Sequence, residues 1–217
     1  LLNNFLILFM HKKLKFIDLF AGIGGFHLAL KAQGMECVFT SEINDYWLTN
    51  RKEAILDKVR FLYVGRYTFD KGGSFIKRLF FENEYKNFIF SIVGIEKNVF
   101  DSSQVSHFKF HGTVSSPKEM IKIYDECNIF LLPSLIEGFP KVINESLARL
   151  RPVIIFDEIN YVKNNREGIF ECKRDILELF KMSEYILKNY EEIQKKILND
   201  KHFTKKEFQE NILEKIQ

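Results

Sequence analysis

The sequence is poor in cysteine, proline and tryptophan, with three, four and one of them among 217 residues. The cysteines, Cys37, Cys127 and Cys172, make no CxxC pair and stand in apolar, strand-like or helix-end surroundings. Thiols in such surroundings are usually buried and reduced, so the pattern indicates a cytoplasmic protein without a disulfide framework. All four prolines follow residue 116, at expected turns or helix starts.

The sequence also lacks a signal peptide and a strong excess of one charge. The apolar run at residues 1–10 is too short to cross a bilayer, and it lacks the basic region and cleavage site of a signal peptide. Residues 1–13 are an unassigned leader, in which Met10 is a candidate start. The net charge is +3 with both signs mixed along the chain, so we expect no DNA partner.

The composition is that of a soluble globular protein of one or two domains, with 46% hydrophobic and 28% charged residues. Most of the 23 phenylalanines are expected in the core. From residue 59 onward, short apolar stretches alternate with helical ones, and one helix begins at a capping box, Ser116-Pro-Lys-Glu119. This alternation predicts an α/β fold, a Rossmann-like parallel sheet with helices on both faces. The strands are predicted at residues 61–64, 88–93, 108–110, 129–132, 152–156 and 168–171.

The first part of the chain forms a separate βαβ pattern. Strands are predicted at 15–20 and 36–41, joined by the glycine turn Ala21-Gly-Ile-Gly-Gly25 and a short helix. From about 45 to 57 the sequence becomes polar and helical, and the alternation stops. The predicted units are therefore a βαβ fragment (14–46), a junction (47–58), a main domain (59–200) and a C-terminal helix (201–217).

Two glutamates stand on either side of a helix start in Glu137-Gly-Phe-Pro-Lys-Val-Ile-Asn-Glu145, directly after the strand at 129–132. This places Glu137 in a strand-to-helix loop and Glu145 about two turns along a helix predicted over 140–149. Backbone N–H groups at Gly138 and Phe139, near a helix N-terminus, suit an anionic phosphate. One carboxylate could accept hydrogen bonds from sugar hydroxyls, and the other from ribose hydroxyls.

Two cations are expected at the same edge of the sheet. Arg66 and Lys71 lie in the loop that follows the strand at 61–64. Ligands of open α/β sheets bind outside the carboxyl ends of the strands, where these loops converge. Arg66 and Lys71 can therefore neutralise the negative charge of a diphosphate there. His111 is interpreted as a loop residue rather than a ligand or base.

Several motifs occur in a fixed order along residues 59–200. They are Phe61-Leu-Tyr-Val-Gly-Arg66 with Lys71-Gly72, Phe90-Ser-Ile-Val-Gly94, His111-Gly-Thr-Val114, Phe130-Leu-Leu-Pro-Ser134 before the paired glutamates, and Arg151-Pro-Val-Ile154. The ordered set resembles the C-terminal, donor-binding domain of a GT-B glycosyltransferase of the retaining family 4 type (glycosyl transferases group 1). The resemblance implies transfer of a sugar from a UDP- or GDP-linked nucleotide-sugar to a glycan or lipid acceptor.

The resemblance also implies roles for individual residues. Glu145 would bind the ribose hydroxyls, and Glu137 would contact the transferred sugar as the catalytic residue. The reaction would need no metal and no cofactor beyond the donor, and the protein would lie in the cytoplasm or peripherally at the inner face of the membrane. The donor-binding residues would be Arg66, Lys71, Gly138, Phe139, Pro140 and Glu145.

The N-terminal fragment carries a second resemblance. Phe16-Ile-Asp-Leu-Phe-Ala-Gly-Ile-Gly-Gly-Phe26 and Cys37-Val-Phe-Thr-Ser-Glu42 are similar to the first motifs of a DNA cytosine-5 methyltransferase. The resemblance implies a site for S-adenosylmethionine. However, the chain contains no Pro-Cys dipeptide and no Glu-Asn-Val acid, which that family uses for cytosine methylation. The residues of the implied site are Phe20, Gly22, Gly24, Gly25 and Glu42.

Three functions remain open from the sequence. The chain could be the donor-binding half of a glycosyltransferase, incomplete without an acceptor domain. It could be a fragment of an S-adenosylmethionine-dependent methyltransferase. It could also be a non-catalytic fusion product that folds and binds nothing. The first function best explains the ordered motifs, which cover the larger part of the chain.

Overall fold

The computed structural model describes residues 15–17, 34, 36–39, 45–82, 87–100, 106–138, 140–163 and 165–200. Strands β1 (Lys15–Ile17) and β2 (Glu36–Phe39) pair in parallel, with Lys15 opposite Glu36. Both were predicted as longer strands, and the remaining residues of those predictions lie outside the described ones. The glycine turn and the helix predicted between them, and the helix predicted at 201–217, lie outside the described residues.

The main body is a sheet of six parallel strands in the order β5-β4-β3-β6-β7-β8. The predicted Rossmann-like α/β fold is therefore confirmed. Each strand was predicted within two residues of its observed ends. The strands are β3 (Arg60–Val64), β4 (Ile89–Val93), β5 (Phe108–Gly112), β6 (Ile129–Leu132), β7 (Val153–Phe156) and β8 (Ile169–Cys172).

Helices connect these strands and follow the last of them. The predicted cap is present, since the Ser116 hydroxyl accepts a hydrogen bond from the Glu119 amide and Pro117 is the first helical residue. None of the helices in the described part of the chain is long and apolar enough to cross a membrane. They are α1 (Gly73–Phe81), α2 (Pro117–Glu126), α3 (Lys141–Ala148), α4 (Ile176–Lys188) and α5 (Tyr190–Asn199), with 3-10 turns at Asp45–Trp47, Lys97–Val99 and Asp157–Val162.

The core fills the space between the sheet and its helices. Strands β6 and β7 are buried along their whole length, which is why their sequences are continuously apolar. Phenylalanines cover the β3-β4-β5 side, where the rings of Phe90 and Phe108 stack at 4.5 Å and those of Phe80 and Phe100 at 4.9 Å. Burying a phenylalanine side chain contributes about 1.5–3 kcal/mol each, so this cluster is a major source of stability.

Two local predictions are wrong. The stretch predicted as helical from about 45 to 57 has a 3-10 turn only at Asp45–Trp47 and is irregular beyond it. The backbone carbonyls of Trp47, Thr49 and Asn50 are instead bonded by a buried arginine at the end of α3, which removes them from a helical ladder. His111 lies in β5 rather than in a loop, next to an irregularity in the β4–β5 register.

Candidate functional site

The site begins with an ion pair at the carboxyl edge of the sheet. The Lys71 ammonium lies 2.8 Å from Oε1 of Glu137, and the Ser134 hydroxyl donates to the same oxygen at 2.6 Å. Glu137 is 7% exposed, whereas the Lys71 side chain keeps 30% of its surface in solvent. Lys71 and Glu137 lie in separate loops and were predicted to share one site, and in the structure they are in direct contact.

The backbone of Glu137 is held by a tyrosine from the loop after β7. The Tyr161 hydroxyl donates to the Glu137 carbonyl at 2.6 Å and accepts from the Glu137 amide at 3.0 Å. These two bonds fix the backbone of Glu137 within its loop. Glu137 is therefore oriented at both its side chain and its main chain.

The loop that carries Lys71 is anchored to β3. The Tyr63 hydroxyl donates to the carbonyls of Arg66 and Lys71, at 2.9 and 3.3 Å. Burial, with smaller effects of the Asp70 and Glu137 charges, raises the pKa of Tyr63 above its usual range, so the hydroxyl stays a donor. Arg66 is exposed at the start of this loop.

The Lys71 loop also touches the loop after β6 directly. Gly72 has φ +74°, and a side chain on it would lie 2.0 Å from the Pro133 carbonyl oxygen. The Leu135 amide donates to the Asp70 carbonyl at 2.8 Å. Only glycine allows this close approach of the two backbones, which sets the distance between Lys71 and Glu137.

A cavity of about 450 Å³ opens at the same edge of the sheet. Glu145 and Lys141 from α3 supply its charged groups, and its other walls are mostly apolar. Arg66, Lys71 and Glu137 are not among its lining residues, so the cavity and the ion pair are separate parts of one edge. The lining residues are Tyr46, Trp47, Val64, Val93, Val114, Ser115, Pro117, Met120, Lys141, Val142 and Glu145.

Glu145 is oriented by a buried tyrosine. The Tyr124 hydroxyl is 3.1 Å from Glu145 Oε2 and also donates to the Val142 carbonyl at 3.4 Å. Burial raises the pKa of Glu145, while the Tyr124 bond and the Lys141 charge lower it. Burial also raises the pKa of Tyr124 well above its usual value, so this hydroxyl remains a donor to the carboxylate.

The raised pKa of Glu145 gives a pH-dependent stability. The folded protein holds this proton more tightly than the unfolded chain, so the free energy of unfolding should fall as pH rises from the unfolded value through the folded pKa. Glu145→Gln should flatten this slope, because glutamine still accepts the Tyr124 bond and does not ionise. Urea unfolding between about pH 4 and pH 7 measures the slope. Glu184→Gln, on the exposed side of α4, is the control, and an unchanged slope in Glu145→Gln would contradict the prediction.

The other predicted site residues lie as follows. Gly138 is half-buried in the loop after Glu137, and Pro140 is buried directly before α3. Phe139 lies outside the described residues. The residues predicted for S-adenosylmethionine, Phe20, Gly22, Gly24, Gly25 and Glu42, also lie outside them.

Sequence reasoning missed several residues of the site. Tyr124 lies within the helix that was predicted from the capping box at Ser116, and Tyr161 lies in the stretch after β7; no role was predicted for either. Tyr46 and Trp47 fell at the boundary between the N-terminal fragment and the junction, and neither was among the predicted site residues. The position of the single tryptophan beside a tyrosine was the one available signal. Among the described residues, no three His, Cys, Asp or Glu side chains form a group that could hold a metal ion.

Comparison with curated proteins finds short matches to methyltransferases. Type II methyltransferase M.HhaI from Haemophilus parahaemolyticus is 61% identical over 33 residues, which is 15% of this chain and 10% of that protein. M.DsaV from Dactylococcopsis salina is 57% identical over 35 residues, 16% of this chain and 10% of that protein. The C-5 cytosine-specific DNA methylase family model matches residues 14–58. The N-terminal resemblance is thus present but short.

Comparison with solved structures finds glycosyltransferase-like folds over most of the chain. Sucrose-phosphate synthase from Thermosynechococcus elongatus aligns with a TM-score of 0.59 at 15% identity, over 85% of this chain and 53% of that one. The galactosyltransferase WaaB of the lipopolysaccharide outer core aligns with a TM-score of 0.56 at 21% identity, over 92% of this chain and 61% of that one. Anabaena HepE in complex with UDP-glucose aligns with a TM-score of 0.58 at 12% identity, over 84% of this chain and 56% of that one. The chain therefore spans little more than half the length of these proteins.

The family model for glycosyl transferases group 1 matches residues 58–189. This range contains the whole six-stranded sheet, the Lys71–Glu137 pair and Glu145. Since the match covers more than half of the sequence, the chain belongs to the glycosyl transferases group 1 family.

Proposed function

We propose that residues 59–200 bind a nucleotide-sugar and form the donor half of a retaining glycosyltransferase. The observation that carries the proposal is the Lys71–Glu137 pair at 2.8 Å, beside a cavity that contains Glu145. A cation for a diphosphate and two carboxylates for hydroxyls thus lie along one edge of the sheet. The similar fold of Anabaena HepE, which is in complex with UDP-glucose, is consistent with a donor of this class.

Lys71 has the main role in binding the diphosphate. Its ammonium has three donor hydrogens, so it can keep Glu137 as a partner and still bond a phosphate oxygen. The exposed Arg66 in the same loop would add a second positive charge, and backbone groups at Gly138, Phe139 and Pro140 would complete the phosphate and sugar contacts. These charges would stabilise the diphosphate as the bond between it and the anomeric carbon breaks.

The two glutamates would hold the two sugars of the donor. Glu137 Oε1 is bonded by Lys71 and Ser134, so we assign Oε2 to a hydroxyl of the transferred sugar. Glu145, held by Tyr124, would accept hydrogen bonds from the ribose hydroxyls. An acceptor, a glycan or a lipid, would be held by a second domain. A lipid acceptor would place the protein peripherally at the inner face of the membrane, and a soluble one in the cytoplasm.

Calorimetric titration with UDP, GDP and UDP-glucose tests the proposal. One nucleotide class should bind the wild type. Lys71→Met should weaken that binding about 10- to 100-fold, because a hydrogen bond to a charged group is worth about 1.5–3 kcal/mol. Glu145→Ala should weaken it as well. Lys181→Met, an exposed lysine paired with Glu178, is the control and should bind like the wild type. Absence of nucleotide binding, or full binding by Lys71→Met, would overturn the proposal.

A second candidate function comes from the methylase match at residues 14–58. It predicts that S-adenosylmethionine binds the chain and that Glu42→Ala abolishes this binding. The same calorimeter measures it. Binding of S-adenosylmethionine with no nucleotide binding would reverse the order of the two functions.

A further inference from the structure

A short segment ahead of the glycosyltransferase match is fixed onto it. We call residues 46–52 the connecting segment. The guanidinium of Arg149, which is fully buried, donates to the carbonyls of Trp47 at 2.9 Å, Thr49 at 2.7 Å and Asn50 at 3.0 Å. One side chain at the end of α3 thus bonds several backbone carbonyls of the segment, so its path is determined by the domain beneath it.

Two further bonds extend this attachment. Arg151, also buried, donates to the Lys52 carbonyl at 2.9 Å. In the opposite direction, Nε of Arg51 donates at 2.7 Å to the carbonyl of Ala148, the last residue of α3. Ala148 ends the helix that carries Glu145, and Arg149 and Arg151 follow it closely, so the segment is attached at the carboxyl end of that helix. The connecting segment and the candidate site therefore share one rigid support.

The connecting segment supplies two aromatic walls of the cavity. Trp47 is 6% exposed, and its ring meets the Tyr124 ring edge-on at 5.3 Å and 85°. Tyr124 is the residue that bonds Glu145. Tyr46 lies beside Trp47 at a ring distance of 6.0 Å and keeps 42% of its surface exposed. Trp47 therefore supports the Glu145 side of the cavity, while Tyr46 offers a ring at its surface.

The rest of the cavity fits a planar, uncharged group next to a diol. Val64, Val93 and Val114 come from the carboxyl ends of β3 and β4 and from the residues after β5, and Met120 adds a deformable apolar wall. Glu145 provides a charged acceptor in the same cavity, and Lys141 adds a positive charge that acts on this carboxylate. An aromatic ring and apolar walls around one carboxylate match a nucleobase joined to a ribose, because every base has a face that can stack.

Resting on the proposed function, we infer that the connecting segment is part of the donor site and forms its nucleobase wall. Tyr46 contacts the base, and Trp47 holds Tyr124 against Glu145. The nucleoside of the donor is thus bound between α3 and residues that precede the glycosyltransferase match. The diphosphate is bound separately, at Lys71.

Binding of probes with and without a base tests this inference. Tyr46→Ala should weaken binding of whichever of UDP and GDP the wild type binds by about tenfold, and leave binding of inorganic pyrophosphate unchanged. Tyr185→Ala removes a tyrosine that is 55% exposed on α4, outside the cavity lining, and is the control. Equal nucleotide affinity in Tyr46→Ala and the wild type would overturn the inference while leaving the proposed function intact.

The single tryptophan of the chain gives a second readout on the unaltered protein. Because Trp47 lines the cavity, saturating the wild type with the bound nucleotide should change its fluorescence emission. Pyrophosphate should leave the emission unchanged. Calorimetric binding of a nucleotide without any change in emission would place the base elsewhere and overturn the inference. If the wild type binds neither nucleotide, the proposed function and this inference both fall.

Discussion

Asp125→Asn should lower the free energy of unfolding by about 3–5 kcal/mol, because it leaves two buried arginines without their anion. Asp125 accepts a two-pronged bond from Arg149, at 2.9 and 2.8 Å, and Arg151 lies 3.9 Å from the same carboxylate. The side chains of the three residues are 0–4% exposed. Asparagine would place an NH₂ group against a guanidinium, and two charges would stay buried without compensation.

Urea unfolding at neutral pH measures this loss, and the adjacent residue supplies the control. Glu126 follows Asp125 on α2, and its ion pairs to Lys109 and Lys122 are exposed. Glu126→Gln should therefore cost no more than about 1 kcal/mol. Similar losses in the two variants would show that the buried carboxylate does not compensate the arginines. The loss in Asp125→Asn should also loosen residues 46–52, because Arg149 holds their carbonyls.

Gly72→Ala should destabilise the domain by about 2–5 kcal/mol and disturb the Lys71–Glu137 pair. The left-handed conformation, with φ +74°, costs about 1–2 kcal/mol with a side chain present. The new methyl group would also meet the Pro133 carbonyl at 2.0 Å, and backbone cannot give way as a side-chain tip can. Forcing apart such packed groups costs about 1–3 kcal/mol more. Urea unfolding and nucleotide titration are the two measurements.

Gly34→Ala is the matched control for this substitution. Gly34 has the same φ of +74°, but a side chain on it would meet nothing within 4 Å. It should therefore show only the conformational cost and no effect on nucleotide binding. Equal effects of the two substitutions would mean that the close approach of Gly72 to Pro133 is unimportant.

Local patterns were enough to predict the fold and the places of Glu137 and Glu145 in a loop and on the helix that follows it. The strands β6 and β7 are continuous apolar runs, and the order of runs and helices specifies a parallel sheet. The Glu137–Glu145 spacing is likewise a local property, since both residues belong to one loop and its helix. The Ser116 cap could be predicted for the same reason, because its hydrogen-bond partner, the Glu119 amide, is three residues away.

The remaining features depend on pairings between distant residues. Arg149 bonds Trp47, which is 102 residues away in the sequence, and Arg51 bonds Ala148 across 97 residues. No periodicity or spacing encodes such a contact. The polar stretch after Asp45 was therefore predicted as a helix from its composition, although the domain's arginines compete for its carbonyls. Tyr124 was not predicted to orient Glu145. The helical pattern of the sequence indicates which residues face the core, but it does not show whether a buried tyrosine also makes a hydrogen bond.

The strand order has a consequence for how the chain acquires its structure. The central strand β3 pairs with β4 on one side and with β6 on the other. In its pairing with β6, Phe61 lies opposite Ile129, and the Arg60 amide bonds the side chain of Asn128, just before β6, across 68 positions. Contacts of this range slow folding, because the intervening chain loses its freedom before the contact is made. During synthesis, one edge of β3 therefore stays unpaired until β6 has left the ribosome, and an unpaired strand edge is prone to aggregation.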